Sequence, residues 1–303
     1  MSKIQIKNVT KRYGDVTALD HVSFSFKSGK IYGFLGRNGA GKSTLINIIA
    51  NRIFPDEGAV FIDGLPAREN MDVHEKIFCM SEADLYDTGM KVRDHFKWTG
   101  RFYDSFDVEK AFRIAEEFGL DTGKRFKALS KGYQSIFKLT IALALNVPYV
   151  IFDEPVLGLD ANHREMFYSL LLKEFEENER TLIIATHLIE EVANIIEEVV
   201  LIDNGRVLLQ ESTEELLETG YCVSGFAKDV DAYCLGKNVI GTDELGSLKL
   251  AYICGEKTEI PQGSSLQITA MNLQKLFVKL TGKAVDGNAV AGNAVAEKGD
   301  MKL

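Results

Sequence analysis

Long apolar runs, an excess of positive charge and closely spaced cysteines are all missing from this 303-residue chain. Its most apolar stretch, Leu139 to Phe152, is interrupted by Asn146 and Pro148, whereas a membrane-spanning helix needs about 20 apolar residues. Work at a membrane is therefore expected to run through a separate integral partner. The net charge of −9 argues against sequence-independent nucleic-acid binding, which relies on clustered Lys and Arg. Cys79, Cys222, Cys234 and Cys254 form no CxxC pair. That spacing suits neither a zinc site nor a dense disulfide framework, and reduced, mostly buried thiols are expected. The opening residues, Met1-Ser2-Lys3-Ile4-Gln5, alternate polar and apolar without a signal-peptide apolar block, which points to the cytoplasm.

What is present suits a folded α/β chain. Apolar residues make up 46% and charged residues 26%, enough to build a core. Alternation over residues 3 to 35, with Ile4, Ile6, Val22, Phe24 and Phe26, predicts short strands, the last of them Ile31–Leu35. A glycine-rich turn then opens a helix from Lys42 to about Ala50, and residues 59–62 read as another strand. Residues 84 to 120 turn helical and carry Phe96, Trp98, Phe102, Tyr103 and Phe106, rings assigned mostly to a local core, with a few exposed ones expected near Leu85-Tyr86 to receive a partner helix. A helix over Lys131–Leu145 leads into Tyr149-Val150-Ile151-Phe152, an unbroken apolar run of the kind that forms buried parallel strands. Strands at Leu182–Ala185 and Val199–Ile202 continue the α/β alternation. Past Gly220 the pattern becomes small α+β, with strands Tyr221–Phe226, Lys249–Ile253 and Leu266–Thr269 and a helix over Asn272–Leu280. The tail repeats Gly-Asn-Ala-Val-Ala at 287–291 and 292–296; residues so small bury too little area to offset ordering, and disorder is expected there.

Two motifs carry chemistry. Gly36-Arg37-Asn38-Gly39-Ala40-Gly41-Lys42-Ser43, followed by Thr44, matches G-x-x-x-x-G-K-[ST] between a strand and a helix. Glycines there let backbone N–H groups curl around a phosphate at a helix N-terminus. Lys42 is placed for the β- and γ-phosphates and Ser43 for Mg²⁺. The second motif is Asp153-Glu154, closing the Tyr149–Phe152 strand, where ligands of open α/β sheets gather. Asp153 is positioned to hold Mg²⁺, and Glu154 to activate the attacking water as general base.

These motifs denote an NTPase without saying which. Leu129-Ser130-Lys131-Gly132-Tyr133-Gln134 is similar to the LSGGQ signature of ABC ATPases, Gly158-Leu159-Asp160 resembles that family's D-loop, and His187 in Ala185-Thr186-His187 resembles its switch histidine. Tyr13 stands where the family stacks an aromatic ring on adenine. The resemblance covers residues 1 to about 220, with the motifs in the family's order. It implies a phosphate-loop ABC ATPase core with an N-terminal antiparallel β subdomain and a helical subdomain at about 84–145. A small α+β domain at 221–282 and a tail at 283–303 follow. It also implies binding of ATP and Mg²⁺, with Ser130 and Gly132 capping the γ-phosphate of ATP held by an opposite subunit, either an identical copy or a related ATPase. An integral membrane permease is the implied partner, export the implied direction, and the inner face of the membrane the implied location.

The chain departs from the family pattern in two places. Lys131 and Tyr133 replace a glycine and the glutamine of the signature. In the loop after Ile77–Met80, Glu82 takes the place of a glutamine that contacts Mg²⁺ and senses the transport partner, and is the implied substitute ligand. A soluble ABC ATPase acting on nucleic acid or ribosomes is the competing reading. Against it stand the single cassette and the lack of a heptad run between Gly36 and Leu129.

Overall fold

The computed structural model describes residues 2–81, 83, 86–260 and 264–282, and divides into two compact units, Met1–Glu218 and Thr219–Leu303. Elements of the first unit, in order, are β1 (Lys3–Tyr13), β2 (Val16–Lys27), β3 (Ile31–Leu35), α1 (Lys42–Ile49), β4 (Glu57–Ile62), β5 (Leu65–Pro66), α2 (Met71–His74) and β6 (Ile77–Met80). Then come α3 (Val92–Phe102), α4 (Val108–Glu117), α5 (Lys131–Ala144), β7 (Tyr149–Asp153), α6 (Ala161–Asn178), β8 (Thr181–Thr186), α7 (Ile189–Val192), β9 (Glu198–Asp203), β10 (Arg206–Ser212) and α8 (Thr213–Thr219).

Two sheets share one core. In the first, β2, β1, β4 and β5 pair antiparallel in that order. Strands with period-2 patterning put alternate side chains on one face: Ile4, Ile6, Phe24 and Phe26 all point into the core. The second sheet runs β10-β9-β3-β8-β7-β6, parallel except for β10. Its central strands β3, β7 and β8 are buried along their whole length, as strands covered on both faces must be. Tyr32, Phe34, Ile151 and Ile183 from this sheet meet Phe26, Val60 and Leu45 from the other side. Because β3, β8 and β7 are parallel neighbours, the loops leaving their carboxyl ends open on the same edge. The site is built there.

The helices α3, α4 and α5 form a separate helical layer. Phe96 of α3 is fully buried and stacks on Phe137 of α5, with centroids 5.9 Å apart. The expectation that most of this stretch's rings are core is corrected here. Phe96 and Phe106 are buried, but Trp98, Phe102 and Tyr103 are exposed, Phe102 by 75%. Helical geometry gives the reason: Trp98 and Phe102 are four residues apart, share the outer face and stack on each other at 5.8 Å. The exposed rings were expected near Leu85 and Tyr86. Tyr86 packs inside, against Phe126 and Phe137, and Leu85 lies outside the described residues.

One buried charge cluster ties this layer to the parallel sheet. Glu174 of α6 accepts from Lys110 of α4 and from Arg180, just before β8. Arg180 also donates to Asn146 Oδ1 at 3.0 Å.

The second unit holds β11 (Gly220–Phe226), α9 (Ala227–Cys234), β12 (Val239–Leu245), β13 (Leu248–Cys254), β14 (Gln267–Ala270) and α10 (Leu273–Gly282). Its antiparallel sheet has the order β12-β13-β11-β14, and Tyr221, Val223, Val230, Tyr233, Ala251 and Ile253 form its core. Both α9 and β12 were absent from the sequence reading. Cys79 and Cys222 are buried, Cys234 and Cys254 are partly so, and none of the four is in a disulfide. The tail at 283–303 lies outside the described residues.

Candidate nucleotide-binding site

The loop from Gly36 to Gly41 links β3 to α1. Gly36 and Ala40 are buried, while Arg37, Asn38 and Gly39 face solvent. Two glycines are required by space. A Cβ on Gly36 would stand 2.6 Å from the Ile202 carbonyl oxygen, and one on Gly41 2.7 Å from that of Ala18, where φ is also +110°. The loop is thus pressed against β9 and β2 from behind; the Ala40 N–H donates to the Arg37 carbonyl at 3.1 Å, and α1 starts at Lys42 with Ser43 exposed, a helix N-terminus of the kind that binds anions. Lys42 is only 5% exposed, and its ammonium donates to the Gly36 and Arg37 carbonyls at 2.8 and 3.3 Å. Burial lowers its pKa and the Glu154 carboxylate partly offsets this. Tyr13 sits at the hairpin end of β1, paired with Val16 and half exposed, with Lys11 Nζ 5.6 Å from its ring. From there β2 leads directly to Ala18 against Gly41.

Asp153 closes β7 and is buried; Ser43 Oγ donates to its Oδ1 at 3.3 Å. Glu154 follows with a left-handed backbone, φ +49°, a conformation that costs about 1–3 kcal/mol in a non-glycine residue. The turn aims its side chain back across the sheet edge. Glu154 N–H donates to the Ala185 carbonyl at 2.9 Å. Its Oε1 lies 2.9 Å from His187 Nδ1 and 3.5 Å from Lys42 Nζ, and its Oε2 accepts from the Thr186 hydroxyl at 2.9 Å. A carboxylate fixed at both oxygens beside a phosphate-binding loop can take a proton from a water aimed at a phosphoryl group. Asp153 and the Ser43 hydroxyl supply two converging hard oxygen donors, which fit Mg²⁺. Glu82 lies outside the described residues.

A second group gathers at the starts of α5 and α6. Ser130 caps α5, accepting from Tyr133 N–H at 3.3 Å. Gly132 approaches the next loop so closely that a Cβ would be 3.0 Å from the Gly158 carbonyl oxygen. Asp160 caps α6, accepting from the His163 N–H at 3.0 Å and pairing with its Nδ1 at 2.8 Å. Those bonds, the backbone one foremost, hold the Asp160 carboxyl below its ordinary range. The Tyr133 ring meets His163 edge-on at 5.9 Å, so the signature residue that departs from the family pattern packs beside the Asp160 cap. Sequence reasoning passed over Thr186. Its one signal was a hydroxyl at the end of an otherwise apolar strand.

The ABC transporter family model matches residues 19–157. The Petrobactin import ATP-binding protein YclP of Bacillus subtilis is 28% identical over 227 residues, covering 71% of this chain and 89% of the relative. The Nod factor export ATP-binding protein I of Ralstonia nicotianae is 30% identical over 223 residues, 71% of this chain and 68% of the relative. Among solved structures, a dimeric ATP-binding cassette in a post-hydrolysis state with ADP and Pi superposes with a TM-score of 0.63 at 25% identity, covering 69% of this chain and 98% of the cassette. A phosphate loop, a strand-end acid pair and these relatives converge on one assignment: the chain belongs to the ATP-binding subunits of ABC transporters, and it binds and hydrolyses ATP.

Proposed function

We propose that this chain energises export by a separate integral membrane permease, through a dimer that closes on two ATP molecules. The observation that carries the reading is Glu154, fixed by Thr186 and His187 within 3.5 Å of Lys42 at the edge where β3, β7 and β8 end. Backbone N–H groups of Arg37, Asn38, Gly39, Gly41 and Thr44 cradle the phosphates around the buried Ala40, whose N–H closes the loop on Arg37, and Lys42 brings its charge to the β- and γ-positions. Mg²⁺, held by Ser43 and Asp153, supplies neutralisation of phosphate charge when bound. Glu154 accepts the proton of the attacking water, His187 orients that carboxylate, and Tyr13 stacks on adenine. Ser130 and Gly132 offer a second anion cradle to ATP on the opposing subunit, and Asp160 shapes the adjoining loop. The dimeric relative trapped with ADP and Pi supports this arrangement, and export is the direction of the relative at 30% identity.

Among the described residues no helix is long and apolar enough to cross a membrane, so attachment to the inner membrane face falls to the permease. A groove of about 1220 Å³ in the first unit, lined by Met71, Phe78, Tyr86, Trp98, Phe102 and Tyr103 among others, offers it an apolar seat.

The test is Glu154→Gln, which keeps shape but cannot accept the proton. Turnover is expected to fall about 10²–10⁴-fold with ATP binding kept, and Mg·ATP is expected to convert the variant to a dimer on size exclusion. Normal turnover removes Glu154 as the base. A variant that stays monomeric at saturating Mg·ATP removes the sandwich.

A further inference from the structure

We infer that Thr186 is a positioning residue for hydrolysis, anchoring one oxygen of Glu154 so that the other stays aimed at the reacting water. The inference rests on Glu154 being the base. Thr186 ends β8 and is 1% exposed. Its hydroxyl accepts the Leu188 N–H at 3.0 Å and donates to Glu154 Oε2 at 2.9 Å. A hydroxyl carries a single proton. The ionised carboxylate can only accept, so that proton goes to Glu154, while the Leu188 amide takes a lone pair and holds the hydroxyl oxygen in place.

The two oxygens of Glu154 therefore face different surroundings. Oε1 faces Lys42 and His187, both groups whose partners change when a triphosphate enters: Lys42 has phosphates to bind, and His187 stands in a partly exposed loop. Oε2 is bonded to Thr186, a strand-end residue that is 1% exposed and held by the Leu188 backbone N–H. The same strand also accepts the Glu154 N–H through the Ala185 carbonyl at 2.9 Å. Backbone and side chain are thus gripped by adjacent residues of β8, and a left-handed residue with φ +49° needs such over-determination to persist. Without the Thr186 bond the carboxylate is free to rotate toward Lys42, and misplacement of a reacting group by about 1 Å costs about 10²-fold in rate.

The experiment compares ATPase kinetics and equilibrium ATP binding in wild type, Thr186→Val, Thr186→Ser and Glu154→Gln. Valine matches the shape and lacks the hydroxyl; serine restores it. Thr186→Val is expected to lose about 10- to 100-fold in kcat, with KM and ATP affinity within about threefold of wild type. Thr186→Ser is expected to keep kcat within about threefold. A merely structural role would be read as a lower melting temperature with kcat unchanged in the folded fraction. Should the valine variant not fold, Thr186→Cys, whose thiol is a weak donor, must show the same selective loss of kcat. A Thr186→Val or Thr186→Cys protein with wild-type kcat, alongside an inactive Glu154→Gln, overturns the anchoring role and leaves the base standing. So does a serine variant as slow as the valine one. Normal turnover in Glu154→Gln removes the base and the anchor together.

Discussion

Glu174→Ala is the substitution whose cost follows most directly from the structure. Glu174 is 6% exposed and neutralises both Lys110 and Arg180, while Asn178 donates to the same oxygen at 3.3 Å. Burial already lowers the pKa of both cations, with Glu174 opposing it. Removing one partner of a buried pair costs about 3–5 kcal/mol, because the remaining charge is left uncompensated. Two features set the expectation at the lower end. The Lys110 stem is long enough to carry its ammonium outward, and Arg180 keeps its bonds to the Leu145 carbonyl and Asn146. A loss of about 3 kcal/mol in a body of this size corresponds to a fall in melting temperature of roughly 6–12 °C. Circular dichroism melts and urea titrations of the full chain read it, with Glu176→Ala on the exposed face of α6 as a control expected to stay within about 0.5 kcal/mol. A Glu174→Ala protein that melts with that control would refute the reasoning and show that the cations relax into water at no cost.

Tyr13→Ala is expected to raise the KM for ATP with a smaller change in kcat, because stacking, worth about 1–3 kcal/mol per base, binds ground and transition states alike; an unchanged KM in steady-state assays places adenine elsewhere. Asp63 tests pH dependence: burial acts to raise its pKa, but hydrogen bonds from Tyr149 and Lys76 outweigh that and hold it below the ordinary range. Its contribution is therefore full above the unfolded value of about 3.9 and is lost as pH falls through the folded one. Urea midpoints at pH 5 and pH 3 are expected to differ less in Asp63→Asn than in wild type, and equal differences would deny Asp63 a share.

Residues whose environment is set by near neighbours were the legible ones. The apolar runs of β3, β7 and β8 and the glycine-rich turn before Lys42 could be read because strand, turn and helix are consecutive. The caps at Ser130 and Asp160 are equally local, each bonding an N–H three residues on. Long-range placement was hidden. Nothing in Val239–Leu245, with Gly241 and two acids among its seven residues, announces β12, which exists because β13 pairs along its length. α9 is too short for its periodicity to stand out. The outward turn of Trp98 and Phe102 depends on which face of α3 meets α5, and the hold of Thr186 on Glu154 joins residues 32 apart in sequence.

The left-handed backbone of Glu154 bears on the descent of such chains. Glycine is the residue best suited to φ +49°, so replacing Glu154 by it would relieve strain of about 1–3 kcal/mol, but would leave Lys42, which is 5% exposed, without its carboxylate partner. Relief of strain offsets only part of what the ion pair and hydrogen bonds contribute. A duplicate gene released from hydrolysis would therefore still meet a folding pressure to keep an acid opposite Lys42.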